Sequence, residues 1–186
     1  MRIIQNHWKR SGIVLYAITN LRDQRYNKKG VTIAMIECYF DGAMEPRNPG
    51  GTGAYGAIIF KDGQEIFRAS KMFEPKPNLS NNYAEYSGLL CILDYLIAND
   101  LTKSQIIVRG DSRLVLCQMF VTCGYRRKWK MNGGFYLPIA LKCKDLLKQF
   151  PNIAGEWIRR EENNLADELS KAALKKAGVK FRIQPE

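Results

Sequence analysis

The order of the strand and helix patterns limits the fold of this chain more than any other feature. Residues 31–40 alternate in polarity and are rich in strand formers. Two further strand patterns, 55–60 and 65–73, flank Lys61-Asp62-Gly63-Gln64, which predicts a hairpin. Helix, strand, helix, helix, strand and helix patterns follow. Hairpin-joined strands pair antiparallel and helix-separated strands pair parallel, so we predict an α/β fold: a mixed five-stranded sheet, three antiparallel then parallel strands, with helices on both faces.

The remaining elements follow from apolar periodicity and from capping residues. The clearest helix covers 81–98, where Ser80 or Asn81 can cap an apolar stripe. Gly178 is expected to end the last helix. The other predicted strands cover 105–109 and 153–158, and the other helices cover 112–121, 136–150 and 164–177. The chain thus divides into an N-terminal extension (1–34) without an assigned role, one domain (35–178) and a C-terminal tail (179–186).

The charge balance indicates what kind of partner the protein binds. The chain has 186 residues, a formal net charge of +11 and a pI of about 9.5. Such a balance favours a polyanion, with nucleic acid ahead of an anionic membrane surface. No apolar run approaches the roughly 20 residues of a membrane span, so we expect no membrane association.

The cysteines argue for a reducing compartment and against a zinc site. There are five, none in a Cys-x-x-Cys pair, and the single histidine, His7, has no cysteine pair near it. We therefore expect reduced thiols in a cytoplasmic protein.

Four carboxylates stand in four separate settings next to turn or small residues: Asp41, Glu85, Asp111 and Asp167. Each alone has a structural explanation, as a turn residue, a helix cap or an acid in the first turn of a helix. Ligands of α/β sheets gather at strand ends, however, and we expect Asp41 and Asp111 to end two neighbouring strands. Glu85, in the first turn or so of the first helix, and Asp167, in the first turn of the last helix, could reach the same patch. Clustered carboxylates repel one another, and two divalent cations would relieve that repulsion.

Five short motifs occur in a fixed order between about residues 35 and 174. They are Tyr-Phe-Asp-Gly-Ala around Asp41, the loop Asn48-Pro49-Gly50-Gly51, Ser80-Asn81-Asn82-Tyr83-Ala84-Glu85, Gly110-Asp111-Ser112, and Trp157-Ile158-Arg159-Arg160-Glu161-Glu162-Asn163 ahead of Asp167. Together they resemble the type 1 ribonuclease H family. The resemblance implies a ribonuclease H-like fold, with residues 35–178 as the catalytic domain.

The resemblance also implies a function. It predicts an endonuclease that hydrolyses the RNA strand of an RNA–DNA hybrid by a two-metal mechanism, leaving 5′-phosphate and 3′-hydroxyl ends. Asp41 would bridge two Mg²⁺ ions, for which Mn²⁺ could substitute, and Glu85, Asp111 and Asp167 would complete their coordination. The partner would be a hybrid, with duplex RNA as a second possibility, and the protein a monomer. Residues matching substrate-contacting positions of the family are Gly42, Asn48, Ser80, Asn81, Asn82 and Arg113.

The chain departs from the family pattern before its last aspartate. Many members have a histidine there, and this chain resembles a branch with arginine instead; Arg160 is the candidate substitute. Arginine stays protonated, so its role would be electrostatic. The alternative is a surface cation that pairs with nearby glutamates.

A basic, aromatic loop (124–134) takes the place of the protruding basic helix of longer members. We expect it to line a path for phosphates, with an indole packed on a sugar or base. The alternative is a solvated loop whose tryptophan is anchored to the core. The candidate residues are Arg126, Arg127, Lys128, Trp129 and Lys130.

Three other functions remain open from sequence. A nuclease of the same fold could act on duplex RNA or other duplexes, a catalytically silent module could bind nucleic acid, and a structural protein could use the four acids as caps and turns. The four intact carboxylates argue against the silent module, and the basic charge argues against the structural protein.

Overall fold

A computed structural model of the chain describes residues 35–120 and 129–182. The N-terminal extension (1–34) and the part of the basic loop that contains Arg126, Arg127 and Lys128 lie outside the described residues. No helix in the described part of the chain is both long and apolar enough to cross a bilayer.

The described elements match the predicted order. The strands are β1 (Met35–Glu45), β2 (Thr52–Lys61), β3 (Gln64–Phe73), β4 (Gln105–Gly110) and β5 (Ile153–Trp157). The helices are α1 (Asn81–Ala98), α2 (Arg113–Met119), α3 (Leu137–Leu146) and α4 (Asn164–Lys176). Short 3₁₀ turns, Leu147–Gln149 and Arg160–Glu162, follow α3 and precede α4.

The sheet confirms the predicted mixed topology. Its strand order is β3-β2-β1-β4-β5. The first three strands in the chain pair antiparallel, while β1–β4 and β4–β5 pair parallel. In the β2–β3 hairpin, Asp62 and Gly63 both have positive φ (52° and 83°), as a two-residue turn of this handedness requires.

Alternation along β1 separates two layers. Ile36, Cys38 and Phe40 are fully buried in the core that also contains Leu89 and Leu93 of α1. The intervening residues of β1 point to the opposite face, because successive side chains of a strand alternate. Asp41 lies on that opposite face and contacts Ser170 of α4. Helices therefore cover both faces, as predicted.

Two glycines let the helices approach the strands at backbone distance. A Cβ atom on Gly42 would lie 2.4 Å from the backbone nitrogen of Glu85 in α1. A Cβ atom on Gly56 would lie 2.3 Å from the backbone oxygen of Ala166 in α4. Real Cβ contacts are longer than this, so either helix would have to move away from the sheet. The first glycine thus lets α1 lie close against β1, the strand that carries Asp41, and the second lets α4 lie close against the neighbouring β2.

The structure corrects two details of the predicted elements. Asp41 does not end its strand, because β1 continues to Glu45 while paired with β2. What ends at Tyr39 is the parallel pairing with β4, whose last partner is Arg109. Glu85 is the fifth residue of α1 and so lies in its second turn, not its first.

Replacing Gly42 with alanine tests the close approach of α1. We expect Gly42→Ala to lower the free energy of unfolding by about 1–3 kcal/mol, the usual cost of overpacking, because the new methyl group would meet helix backbone. Urea denaturation measures the change. Unchanged stability would mean that the packing of α1 against β1 does not require a glycine at position 42.

Candidate active site

The first acidic side chain of the site, Asp41, lies where β1 has parted from β4. It is 6% exposed, and the Ser170 hydroxyl donates a hydrogen bond to its Oδ2 atom at 2.6 Å. The Asn163 amide, just before α4, donates to the backbone oxygen of Phe40 at 2.9 Å. These two contacts fix the start of α4 against β1 on either side of the carboxylate.

Glu85 reaches the site from α1. Its side chain is 5% exposed, and the Asn81 amide one turn earlier donates to its Oε1 atom at 3.3 Å. Its Oε2 atom is buried without a hydrogen-bond partner among the residues that the structure describes. Gly42 makes this position possible, since any side chain there would displace the Glu85 backbone.

Asp111 follows the end of β4 directly. The Trp157 indole, at the end of β5, donates to the backbone oxygen of Asp111 at 3.0 Å. The Oδ1 atom of Asp111 is buried and, within residues 35–120 and 129–182, also lacks a partner. The backbone of Asp111 is thus held by the neighbouring strand, while its carboxylate keeps acceptor capacity for another ligand.

These three acids form one cluster. A carboxylate oxygen from each of Asp41, Glu85 and Asp111 lies within 4.8 Å of the others. The pKa of Asp41 is raised from 3.8 to about 7, chiefly by burial and also by the charges of Asp111 and Asp167, while the Ser170 hydrogen bond opposes the shift. Burial, followed by the charges of Asp41 and Asp111, raises the pKa of Glu85 well above its usual value. The cluster is therefore poorly stable in its fully ionised form.

The donor set fits a hard divalent cation. Mg²⁺ prefers oxygen ligands and is usually bound by a few carboxylates while it keeps several waters. The two buried carboxylate oxygens without partners, on Glu85 and Asp111, are ligands of this type. A cation between the three carboxylates would offset both the cost of burying their charge and the repulsion between them.

Asp167 is placed differently from the other three acids. It lies in the first turn of α4 and lines the same hollow. Arg160 donates to its Oδ1 atom at 3.1 Å, and Lys171 donates to its Oδ2 atom at 2.5 Å. Both oxygens are thus held by cations, and Asp167 stands at the rim, outside the tight cluster. Arg160 was expected either to act at the site or to pair with nearby glutamates on the surface, and its partner is this aspartate.

The four acids share one hollow of about 230 Å³. The lining residues are Asp41, Gly42, Ala43, Met44, Glu45, Asn48, Asn81, Glu85, Asp111, Arg160, Asp167, Lys171, Phe181 and Arg182. The lining thus combines the four acids of interest with three cations, Arg160, Lys171 and Arg182.

Of the predicted substrate-binding residues, Gly42, Asn48 and Asn81 line this hollow, whereas Ser80, Asn82 and Arg113 do not. Asn48 reaches the start of α1, where its Oδ1 atom accepts a hydrogen bond from the Asn81 backbone at 3.0 Å. It thereby caps the helix from a different loop, while the side chain of Ser80 makes no capping bond. Asn82 is the next residue of α1. Arg113 lies outside the lining and stacks on Trp157, 4.2 Å from the ring centroid.

The described part of the basic loop lies along α2. The Trp129 backbone donates to the Cys117 oxygen at 3.3 Å, and Gln118 donates to the Lys130 oxygen at 2.8 Å. The Trp129 side chain is 39% exposed. The backbone of the loop is thus anchored to α2 while the indole remains accessible, which combines parts of both interpretations of the sequence. Neither residue lines the hollow.

Four residues of the site were missed from sequence. Ser170 and Lys171 follow Asp167 by three and four positions, a spacing that places side chains on one face of a helix, so this signal was available. Glu45 and Arg182 had no such signal, because they are far apart in the chain and meet only in the folded protein.

Comparison with known proteins agrees with this site and fold. A family model described as reverse transcriptase-like matches residues 39–173. The bifunctional protein Rv2228c of Mycobacterium tuberculosis is 32% identical over 128 residues, which are 68% of this chain and 32% of that protein. The chain therefore spans about a third of the length of this curated relative.

Solved structures of ribonucleases H have the same fold. RNase H1 from the archaeon Halobacterium salinarum is 28% identical, with a TM-score of 0.62 over 76% of this chain and 98% of that one. LC11-RNase H1, solved in complex with an RNA/DNA hybrid and obtained from compost by a metagenomic approach, is 28% identical, with a TM-score of 0.62 over 77% and 99%. The chain thus has the fold of the ribonucleases H, and it belongs to the reverse transcriptase-like family.

The raised pKa values predict how the metal-free protein responds to pH. A carboxyl whose folded-state pKa exceeds its unfolded value binds more protons when folded, so the free energy of unfolding falls as pH rises from about 4 to about 7. We expect Asp41→Asn to raise stability in chelator, with a gain over wild type that grows across this window. The gain is at most about 4 kcal/mol, at 1.4 kcal/mol per pKa unit.

Thermal unfolding of both proteins in EDTA between pH 4 and pH 8 measures this difference. Added Mg²⁺ should stabilise the wild type at pH 8 and leave the variant nearly unchanged, since bound metal stabilises only the state that binds it. Parallel curves for the two proteins would contradict the assignment of Asp41.

Proposed function

We propose that the protein is a divalent-metal-dependent endonuclease that hydrolyses the RNA strand of RNA–DNA hybrids. The observation that carries this proposal is the cluster of Asp41, Glu85 and Asp111, with carboxylate oxygens within 4.8 Å of one another on a strongly basic protein. Acids buried together in a protein with net charge +11 are explained by a cation that works on a polyanion.

Asp41, Glu85, Asp111 and Asp167 would hold two Mg²⁺ ions, or Mn²⁺ ions in their place. When bound, such ions activate a water and stabilise the leaving oxygen in phosphodiester hydrolysis, which would leave 5′-phosphate and 3′-hydroxyl ends. Ser170 orients the Asp41 carboxylate by its hydrogen bond. Arg160 and Lys171 hold Asp167 in position at the rim.

The contact between Asn48 and Asn81 supports a hybrid as the substrate. It joins the β1–β2 loop to the first residue of α1, so both asparagines face the hollow on the side of Glu85. We propose that these side chains, with Asn82, contact bases and sugars near the cut. The 2′-hydroxyl, which distinguishes RNA from DNA, would be recognised by backbone groups around Gly42 and Glu85.

Arg160 would act on the charge of the site and not as a proton carrier. Its guanidinium lies 3.1 Å from Asp167 and is still largely exposed, so it can also face a phosphate in the hollow. Because arginine stays protonated, it would stabilise negative charge that develops on the reacting phosphate. The residues of the basic loop and Arg113 would contact phosphates farther from the cut.

Replacing Asp41 with asparagine tests the catalytic assignment. We expect Asp41→Asn to lower the cleavage rate of a labelled RNA–DNA hybrid about a thousandfold while binding persists, since metal stabilisation of a transition state is worth several kcal/mol. The substrates are hybrid, duplex RNA, duplex DNA and single strands, each with Mg²⁺, with Mn²⁺ and with EDTA.

The pattern of products decides among the open functions. Cleavage of the hybrid alone supports the proposal. Cleavage of duplex RNA would instead indicate a nuclease of the same fold with another substrate. Binding without cleavage of any substrate would indicate a silent module. Wild-type rates for Asp41→Asn, or full activity in EDTA, would contradict the metal site.

Replacing Arg160 with alanine tests its electrostatic role. We expect Arg160→Ala to lower kcat about tenfold and to change KM little, because the charge acts on the reacting phosphate more than on binding. Arg159→Ala is the matched control: it removes the same charge from the neighbouring residue, which does not line the hollow. Equal rates for the two variants would return Arg160 to the class of surface cations.

A further inference from the structure

The chain turns back toward the active site after α4. Gly178, with φ of +70°, follows the end of the helix. The Gly178 backbone donates to the Lys175 oxygen and the Val179 backbone donates to the Leu174 oxygen, both at 3.0 Å. This pair of bonds is a Schellman motif, which ends a helix and reverses the chain. The reversal brings Phe181 and Arg182 into the wall of the acidic hollow.

Arg182 is held there by three contacts with the end of β1. Its backbone nitrogen and its Nε atom donate to the same Oε2 atom of Glu45, at 3.0 and 3.2 Å. Its Nη2 atom donates to the backbone oxygen of Met44 at 3.3 Å. Glu45 is largely buried, with a side chain 17% exposed, and belongs to the strand that carries Asp41. The guanidinium is therefore oriented by the same rigid strand as the catalytic carboxylate.

The geometry of the guanidinium leaves it capacity for a ligand. Arginine carries five side-chain N–H groups in a planar fork. Glu45 and Met44 engage two of them, and more than half of the Arg182 side chain is exposed. Arg160 and Lys171, the other cations of the rim, are bound to Asp167, whereas the partner of Arg182 is not one of the four acids of the site.

We propose that Arg182 is a substrate-binding residue that contacts a backbone phosphate of the nucleic acid near the scissile link. A planar guanidinium fork matches the oxygens of a phosphate, and a position on the wall of the hollow faces the strand that enters it. The inference rests on the proposed function, because it takes a nucleic acid as the ligand. The C-terminal segment would then be part of the active site.

The role of Glu45 follows from the same contacts. It fixes the orientation of a long, flexible side chain before the substrate arrives, which lowers the entropic cost of the phosphate contact. Glu45 is therefore a positioning residue, and Glu45→Gln should weaken binding less than loss of the arginine, because the amide oxygen can still accept from Arg182.

Binding of a labelled RNA–DNA hybrid to full-length variants tests the proposal. All variants carry Asp41→Asn, so that the strand remains uncut. We expect Arg182→Gln to weaken binding about tenfold and to reduce the slope of log affinity against log salt by up to about 0.9, the value for one lost phosphate contact. Lys180→Gln is the matched control: it removes the same charge two residues away, at a position outside the lining of the hollow. It should change both quantities much less.

Hybrids with a single neutral methylphosphonate identify the phosphate. The methylphosphonate is placed at each position of the RNA strand in turn. At one position it should weaken binding by the parent, which carries Asp41→Asn alone, but not binding by the Arg182→Gln variant, because that phosphate and the arginine form a coupled pair. Arg182→Lys, which keeps the charge without the fork, should lie between the two. Thermal unfolding of each variant shows that it is folded at the assay temperature.

Three outcomes would overturn the inference. In the first, Arg182→Gln binds the hybrid no more weakly than Lys180→Gln does. In the second, Arg182→Gln loses affinity, but every methylphosphonate position weakens its binding as much as it weakens that of the parent, which would mean that Arg182 has a structural role. Tighter binding by Arg182→Gln would mean that the tail obstructs the site. In all three cases the parent binds hybrid. Failure of the proposed function is distinct, since the protein with Asp41 intact would then not cut a hybrid, whether or not it binds one.

Discussion

Repulsion among buried carboxylates is the constraint on which the arrangement of this site depends. Three acids have carboxylate oxygens within 4.8 Å of one another, and the pKa values of Asp41 and Glu85 are raised, first by burial and then by the charges of neighbouring acids. The fold maintains the arrangement because each acid is fixed by backbone packing and by neutral hydrogen bonds. Ser170 and Asn81 orient two of them without neutralising either.

The positions of the acids follow from how the sheet divides. The parallel pairing of β1 and β4 stops at Tyr39 and Arg109, while β1 continues beside β2. Beyond that point the segments that carry Asp41 and Asp111 no longer pair with each other, so the space between the two residues is available for a ligand. The missing side chain of Gly42 lets α1 approach from one face, and Gly56 lets α4 approach from the other. Glu85 and Asp167 therefore reach the same hollow from opposite sides of the sheet.

Local sequence patterns predicted the elements because each has a signal within a few residues. The hairpin at Asp62-Gly63, the helix Asn81–Ala98 and the stop at Gly178 all depend on turn, capping or periodicity rules that act over one or two turns of chain. The end of β1 was misplaced because Asp-Gly followed by a loop rich in proline and glycine imitates a strand end. Pairing with β2 extends the strand past it, and strand pairing is not a local property.

The candidate site was predictable to the extent that its residues belong to recognisable motifs. The four acids, the paired asparagines and Arg160 all belong to such motifs. Asn48 as the cap of α1 and Arg182 as a rim residue depend on contacts across 33 and 137 positions of the chain, and no spacing rule encodes them. Lys171 is an intermediate case, since its helical spacing from Asp167 was visible but gave no reason to prefer it over other surface lysines.

The distribution of charge reconciles an acidic centre with a basic protein. Among the residues that line the hollow, Asp41 and Glu85 are buried, whereas Arg160, Lys171 and Arg182 are more exposed. In the proposed function, a polyanion approaching this surface would first meet cations, and its scissile phosphate would come close to the carboxylates only with divalent ions between the like charges. Selectivity for a metal-loaded state would then follow from where the two kinds of charge lie. Because Arg160 and Lys171 occupy both oxygens of Asp167, that acid would become a metal ligand only by exchanging protein cations for a metal ion, while the other three acids have no such competitor among the described residues.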